Sequence, residues 1–234
     1  MRVALVGLGK MGRVVEEAAA AKGVEVALRF TRERPLRADE ATRRALAGVT
    51  ALLDFSTAEA VPETVAAAVA LGLPLVIGTT GWNERQAEVR RLVDGSAIGA
   101  VWASNFSLGV NVFYRLAEQA ARALAGVEDY DPFIRDWHHR RKQDSPSGTA
   151  LEIRRRMAAH YGEREIPIVC QRAGYVPSEH AVGFDSPADT ILIEHRARNR
   201  QGFADGALLA ARWIAGRRGF HDFREVLDDL LPTS

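Results

Sequence analysis

The stretch Gly7-Leu8-Gly9-Lys10-Met11-Gly12 decides the fold of the first part of the chain, because it follows the apolar run Arg2 to Val6 without a gap and opens a helical pattern over Met11 to Lys22. In that setting each glycine has a mechanical task. The first permits a tight turn, the second lets the backbone approach a pyrophosphate, and the third lets helix and strand pack closely while the helix N-terminus faces the negative charge. Lys10 and Arg13 add cationic support. A plain glycine-rich turn is the alternative, but a strand before and a helix after are the context a dinucleotide fingerprint needs. A Walker-type phosphate loop is excluded, since Met11 and not Ser or Thr follows Lys10. The expected cofactor-binding residues here are Gly7, Gly9, Lys10, Met11, Gly12 and Arg13.

Outward from this loop, short runs rich in Val, Ile, Leu and Phe recur at Val24 to Phe30, Ala51 to Phe55, Leu73 to Ile77 and Ala97 to Trp102. Helical patterns lie between or after them at Ala58 to Leu71, with Pro62 tolerable in the first turn, and at Asn83 to Val93. Alternating strands and helices of this kind require a parallel sheet covered on both faces, with ligands at the carboxyl ends of the strands. The fold expected is therefore α/β, a Rossmann-like parallel sheet. After Asn105 the rhythm changes. A long helix pattern, Leu108 to Leu124, leads to a strand-like Tyr130 to His138, a polar stretch, and a helix from about Ser147 to His160. Strand-like runs at Ile166 to Gln171 and Thr190 to Ala197 follow with no comparable helix between them, which reads as a second, α+β domain with an open mixed sheet. A last helix, Ala204 to Ala215, returns to the style of the first part. The expected division is 1–107 with 201–234 for the dinucleotide and 108–200 for substrate and oligomerisation.

Composition narrows the partners. Hydrophobic residues make up 47% of 234, enough for a sizeable core. With 31 basic against 30 acidic residues the formal net charge is +1, so no global field recruits nucleic acid. Cys170 is the single cysteine, which rules out an internal disulfide framework; with no cleavable signal pattern at the start, the cytoplasm is the expected compartment. No apolar stretch reaches the roughly 18 residues that span a bilayer, so no membrane is expected. Only Lys10, Lys22 and Lys142 among the basic residues are lysines, so each invites a question of role.

The second run ends Leu28-Arg29-Phe30-Thr31-Arg32, where an NAD-selective site usually offers an acid to the adenosine ribose. The arginines point instead to NADPH, with NADH also accepted and Arg29 or Arg32 near the 2′-phosphate.

Chemistry concentrates in Asp136-Trp137-His138-His139-Arg140-Arg141-Lys142-Gln143-Asp144-Ser145-Pro146-Ser147-Gly148-Thr149-Ala150. Ser147, Gly148 and Thr149 present amides and hydroxyls at a helix start, a place for a carboxylate. Lys142 supplies full positive charge, and a histidine, titrating near neutrality, can protonate an atom made basic by hydride addition. Two histidines also suggest a metal, but no further ligands stand at suitable spacing, and no metal is expected. Three basic residues without interleaved aromatics make a poor nucleic-acid patch. Arg172, His180, His195 and Arg200 rank second.

This segment resembles the signature E-x-H-H-x-x-K-x-D-x-P-S-G-T-A of the dihydrodipicolinate reductase family, matched from His138 to Ala150 with Asp136 in place of the usual Glu. Further matches are Gly7 to Arg13, Asp54-Phe55-Ser56, Gly78-Thr79-Thr80-Gly81, Asn105-Phe106-Ser107 through Asn111, and Phe203 to Ala207. The resemblance implies that Gly78, Thr80 and the segment Ser104 to Phe106 lie by the nicotinamide, that His138 donates the proton, and that Lys142 pairs with a substrate carboxylate. His139, Gly148 and Thr149 would also bind the substrate. It implies reduction of the unsaturated ring derived from 4-hydroxy-tetrahydrodipicolinate to tetrahydrodipicolinate, on the way to diaminopimelate and lysine, by a homotetramer built on the second domain's sheet. Arg172-Ala173-Gly174 departs from the family's frequent Arg-Gly-Gly. Two other readings compete: a reductase of an amino-acid semialdehyde, which has little use for His138 to Thr149, and a nucleotide sensor without chemistry, against which His138 and Lys142 argue.

Overall fold

The structure is a computed structural model and describes residues 1–231. It divides into two compact units, Met1–Leu108 with the segment from Arg200 onward, and Gly109–Asn199. The last three residues of the expected 201–234 segment lie outside the described residues.

The first unit holds strands β1 (Arg2–Val6), β2 (Glu25–Phe30), β3 (Ala51–Asp54), β4 (Leu75–Ile77), β5 (Gly99–Trp102) and β10 (Gly219–Asp222). They form one six-stranded sheet in the order β10-β5-β4-β3-β1-β2, and every neighbouring pair is parallel. Helices α1 (Lys10–Ala21), α2 (Glu40–Ala45), α3 (Val61–Leu71), α4 (Gln86–Asp94), α7 (Gln201–Trp213) and α8 (Phe223–Leu230) complete it. Alternate strand residues serve opposite faces, as the two-residue side-chain period of a strand demands. Val3, Leu5, Leu53 and Val101 pack with Val15 of α1, Leu208 of α7 and Leu227 of α8. Ala4, Leu52, Leu75 and Ile77 pack with Val65 of α3 and Val89 of α4. This is the Rossmann-like parallel sheet expected.

The order in which strands are added to the sheet reverses between β1 and β3, the point where such folds open a crevice for ligands. There the chain needs glycine. Gly7 has φ +90°, and a Cβ on it would lie 2.4 Å from the Phe55 carbonyl oxygen; one on Gly12 would lie 2.1 Å from the Gly7 carbonyl oxygen.

The second unit carries a mixed four-stranded sheet, order β7-β6-β8-β9, from β6 (Asp131–His138), β7 (Ile168–Arg172), β8 (Ser178–Asp185) and β9 (Thr190–Ala197). β6 and β7 run parallel, while β6 with β8 and β8 with β9 run antiparallel. One face is covered by α5 (Leu108–Leu124) and α6 (Gly148–Tyr161): Phe113, Ala117, Ile153 and Met157 close on Ile134, Val182 and Phe184. The other face is open, with Val169 60% and Leu192 47% exposed.

Candidate active site

In the first unit a cavity of about 560 Å³ opens at the reversal point, inside the range of about 300–1,000 Å³ usual for small ligands. Its walls are Gly7 to Gly9, the loop Phe30 to Glu33 after β2, and Phe55 to Thr57 after β3. These walls fit a dinucleotide by their own chemistry. α1 starts from Gly9 with no side chain capping it and no acid in its first turn, and a Cβ on Gly9 would meet nothing within 4 Å. Uncapped amides at a helix start favour an anion.

Lys10 and Arg13 stand exposed on the first turn of α1, and Met11 is half-buried between them. The two arginines singled out after β2 part company: Arg32 lines the cavity, whereas Arg29 is ion-paired with Glu16 of α1. Glu33, which the sequence reading passed over, shares the wall with Arg32. A hydrogen bond from the Thr31 hydroxyl, 2.7 Å, holds its carboxyl below its ordinary pKa.

Gly78 is pinned between elements. Its N–H donates to the Asp54 carbonyl at 2.8 Å, and a Cβ would strike the Phe55 ring at 2.2 Å. Asp54 itself is buried, accepting from the Ser56 N–H (2.8 Å) and the Thr79 hydroxyl (2.9 Å), so it ties together the loops that follow β3 and β4. Burial pushes its pKa up against those hydrogen bonds. Thr80 and Ser104 are exposed, while the Phe106 ring is part of the core, edge-on to Phe223 at 4.9 Å. Only the backbone of Phe106 is therefore available to a ligand.

In the second unit the signature segment folds around a carboxylate that alternation alone had not marked. Asp136 is fully buried at the helix-covered face of β6. Its Oδ2 accepts from the Ser147 N–H and from Arg172 Nη2, both at 2.8 Å. Its Oδ1 accepts from the Ser147 hydroxyl at 2.9 Å, and His138 Nδ1 and His180 Nε2 lie 2.9 and 3.2 Å from the same oxygen. Burial alone would raise the pKa of Asp136, but the contacts from His138, His180, Arg172 and Ser147 outweigh it and hold the carboxyl far below the usual range. Burial, the larger influence, lowers the pKa of His180 against the pull of Asp136.

These contacts redistribute the roles foreseen for the loop. Ser147 caps α6 through its hydroxyl, 3.2 Å from the Ala150 N–H, and spends its own N–H on Asp136. Gly148 is exposed with open space around it, and Thr149 hydrogen-bonds with Tyr114. Lys142 Nζ lies 2.6 Å from Asp144 Oδ1, and this ammonium holds the Asp144 carboxyl below its ordinary pKa, with the Gly148 N–H adding to the effect. His139 accepts from the Arg141 N–H at 3.2 Å. Arg172 reaches over the loop to the Asp144 carbonyl at 2.8 Å. His195 faces His180 across the strands and lies 6.0 Å from the Phe113 ring, while Arg200 is exposed.

No metal was expected, yet Asp136, His138 and His180 bring three ligand-type atoms within 4.8 Å of one another. The carboxylate at their centre already carries an Arg172 guanidinium and two Ser147 donors, so the cluster is knit by hydrogen bonds with its positive charge supplied from within.

Among the described residues no helix is long and apolar enough to cross a membrane. Residues 1–106 match the family model described as dihydrodipicolinate reductase, N-terminus, and residues 109–227 the one described as dihydrodipicolinate reductase, C-terminus. A 4-hydroxy-tetrahydrodipicolinate reductase of Christiangramia forsetii is 34% identical over 246 aligned residues, covering 100% of both chains. One of Alkalilimnicola ehrlichii is 37% identical over 265, covering 97% of this chain and 98% of its own. In fold, the chain is similar to a dipicolinate-bound dihydrodipicolinate reductase from Paenisporosarcina sp. TG-14, with a TM-score of 0.79, 21% identity and 99% of each chain covered. With both of its units matched, the chain belongs to the dihydrodipicolinate reductase family.

Proposed function

We propose that this chain is a pyridine-nucleotide-dependent 4-hydroxy-tetrahydrodipicolinate reductase, converting the unsaturated ring derived from that compound to tetrahydrodipicolinate on the route to diaminopimelate and lysine. One observation carries the reading: the signature segment places a buried histidine, His138, at the end of β6 directly before the loop that bears Lys142 and the start of α6. A semialdehyde reductase has little use for that arrangement.

The first unit is the nucleotide domain and Gly109–Asn199 the substrate domain. When bound, the reduced nicotinamide supplies the hydride. The chain's own residues do the rest. Backbone amides at the start of α1 hold the pyrophosphate, and Gly78, by leaving room for the Phe55 ring, keeps the wall after β3 in shape. Arg32, in the cavity wall, favours NADPH, while NADH is also accepted through Glu33. In the substrate domain Lys142, with His139, Gly148 and Thr149, holds the carboxylates of the ring, Asp144 giving way to them. His138 delivers the proton. Placing a charged lysine and an acid beside the reacting ring lowers the barrier by orientation and charge stabilisation. The enzyme works in the cytoplasm as a homotetramer assembled through the open face of the second sheet, a reading supported by exposed Val169 and Leu192 on that face.

The test is a coupled assay with freshly made 4-hydroxy-tetrahydrodipicolinate, following NADPH absorbance, beside a panel of aldehydes. Oxidation with the ring compound alone supports the reading; oxidation with a semialdehyde and not the ring overturns it. Light scattering of the purified protein checks the tetramer.

A further inference from the structure

We propose that Asp136 is a positioning residue that fixes the tautomer of His138, holding a proton on Nδ1 so that Nε2 is the nitrogen that gives up a proton to the substrate. The proposal rests on the reading of His138 as proton donor given above, and takes it further by naming what aims the imidazole.

The proton inventory around the carboxylate leaves little choice. The Ser147 hydroxyl has one hydrogen and spends it on Asp136 Oδ1, so the contact of 3.0 Å between that hydroxyl and His180 Nε2 requires His180 to donate. His180 Nδ1 faces the Ser178 hydroxyl at 3.4 Å, which then donates to it. His180 is thus neutral with its hydrogen on Nε2, in keeping with the lowering of its pKa by burial. His138 is under the opposite compulsion. Its Nδ1 is sealed from solvent and lies 2.9 Å from a carboxylate oxygen, a close contact not aligned as a hydrogen bond; two lone pairs at that distance would repel, so Nδ1 carries hydrogen.

Charge on every side of His138 can be named. Asp136 stands on its own strand; Arg172 from β7 and Lys142 from the following loop are the cations nearby, the first tied to Asp136 and the second to Asp144. His180 from β8 lies edge-on with ring centroids 5.1 Å apart and is neutral, and α6 offers the Ser147 hydroxyl. Asp136 is therefore the anion in contact with the ring. In the reaction the Nε2–H bond breaks, its electron pair stays on Nε2, and the hydrogen joins the substrate atom made basic by hydride addition. Nδ1–H keeps its place against Asp136 throughout. Exchange of a carboxylate for an amide in such a pair leaves the wrong tautomer, as known for serine proteases.

The experiment combines nitrogen-15 NMR of the histidine rings with pH-resolved kinetics on wild type, Asp136→Asn and Asp136→Glu. In wild type the neutral form of His138 is expected to show Nδ1–H. In Asp136→Asn the tautomer switches to Nε2–H, and kcat falls by about two orders of magnitude with KM changed by less than about threefold. Asp136→Glu, which keeps the anion, recovers kcat to within about tenfold of wild type. A merely structural Asp136 would alter the melting point without switching the tautomer. Nε2–H in the neutral wild-type ring overturns the proposal without any variant, and so does a folded Asp136→Asn with wild-type tautomer and kcat. If wild type fails to oxidise NADPH with the ring compound, the functional reading falls, while the ring spectrum still decides whether Asp136 sets the tautomer.

Discussion

Arg172 grips Asp136 at two points, Nη2 on the carboxylate Oδ2 at 2.8 Å and Nη1 on the main-chain carbonyl at 2.9 Å, while Nη2 also reaches the Asp144 carbonyl at 2.8 Å. One guanidinium thus joins β7, β6 and the loop bearing Lys142. Removing it strands a buried carboxylate, so Arg172→Ala is expected to lower stability by about 3 kcal/mol, a fall in Tm on the order of 10 °C. Arg172→Lys should recover little, because an ammonium lacks the planar fork that meets several acceptors at once. Thermal unfolding followed by circular dichroism measures both.

His138→Gln and Lys142→Ala are each expected to lower kcat about a hundredfold, the usual effect of losing a general acid or a charge-stabilising group. Lys142→Ala should also raise KM for the dicarboxylate and leave that for the nucleotide unchanged. Steady-state kinetics with both substrates varied separates the two. Near-normal turnover in both variants would reassign the roles.

Stability should decline on acidification through His180. Burial holds its pKa below the ordinary histidine value of about 6.5. The folded chain then binds fewer protons than the unfolded one between those values, so the contribution is complete above pH of about 6.5 and is lost as pH falls through the folded value. His195, lowered by burial, adds with the same sign. Asp136, also lowered, adds a second loss that starts below about pH 4. Urea midpoints from pH 8 to 5 should fall in wild type and fall less steeply in His180→Gln, whose amide still donates to Ser147.

Cofactor choice should hinge on Arg32. Arg32→Ala is expected to cut kcat/KM for NADPH about tenfold, the loss of one charge-assisted phosphate contact, with little change for NADH. Arg29→Ala, in which the pairing with Glu16 and a 3.4 Å hydrogen bond to the Val26 carbonyl are lost, should leave the ratio of the two cofactors unchanged. An altered ratio in Arg29→Ala would place the 2′-phosphate elsewhere.

Gly78→Ala puts a methyl group into the Phe55 ring. Overpacking of this kind costs about 1–3 kcal/mol, and the displaced ring deforms the cavity wall. Fluorescence titration with NADPH should show a Kd raised several-fold.

The parts legible in the sequence were those where periodicity and burial agree. β1, α5 and β9 match the expected runs residue for residue, β1 as a continuous buried apolar run and α5 by its helical repeat. β8 escaped because Glu179, His180 and Gly183 interrupt its apolar pattern, although they are buried beside Ala181, Val182 and Phe184. Its Gly183 is there to admit the Phe133 ring, which a Cβ would meet at 2.1 Å. α8 carried its own signal, Asp222 and Glu225 in a capping box ahead of Phe223, Val226 and Leu227, and was overlooked with the four-residue β10 before it. At the candidate site, the segment Asp136 to Ala150 stood out for its two histidines and rare lysine, and the resemblance put His138 and Lys142 forward as the catalytic pair. The hub escaped because Arg172 and His180 reach Asp136 from other strands, over sequence separations no local motif records.

The first unit's sheet ends in β10, and one of its faces is roofed by α7 and α8, all encoded after residue 200. During synthesis the ribosome therefore releases the whole of Gly109–Asn199 before the earlier strands have their cover. The substrate half can close while Val76 and Val101 still await their partners, and those side chains stay adhesive until the end of translation. Chain-terminating lesions late in the message would thus strip the nucleotide half and leave the other intact.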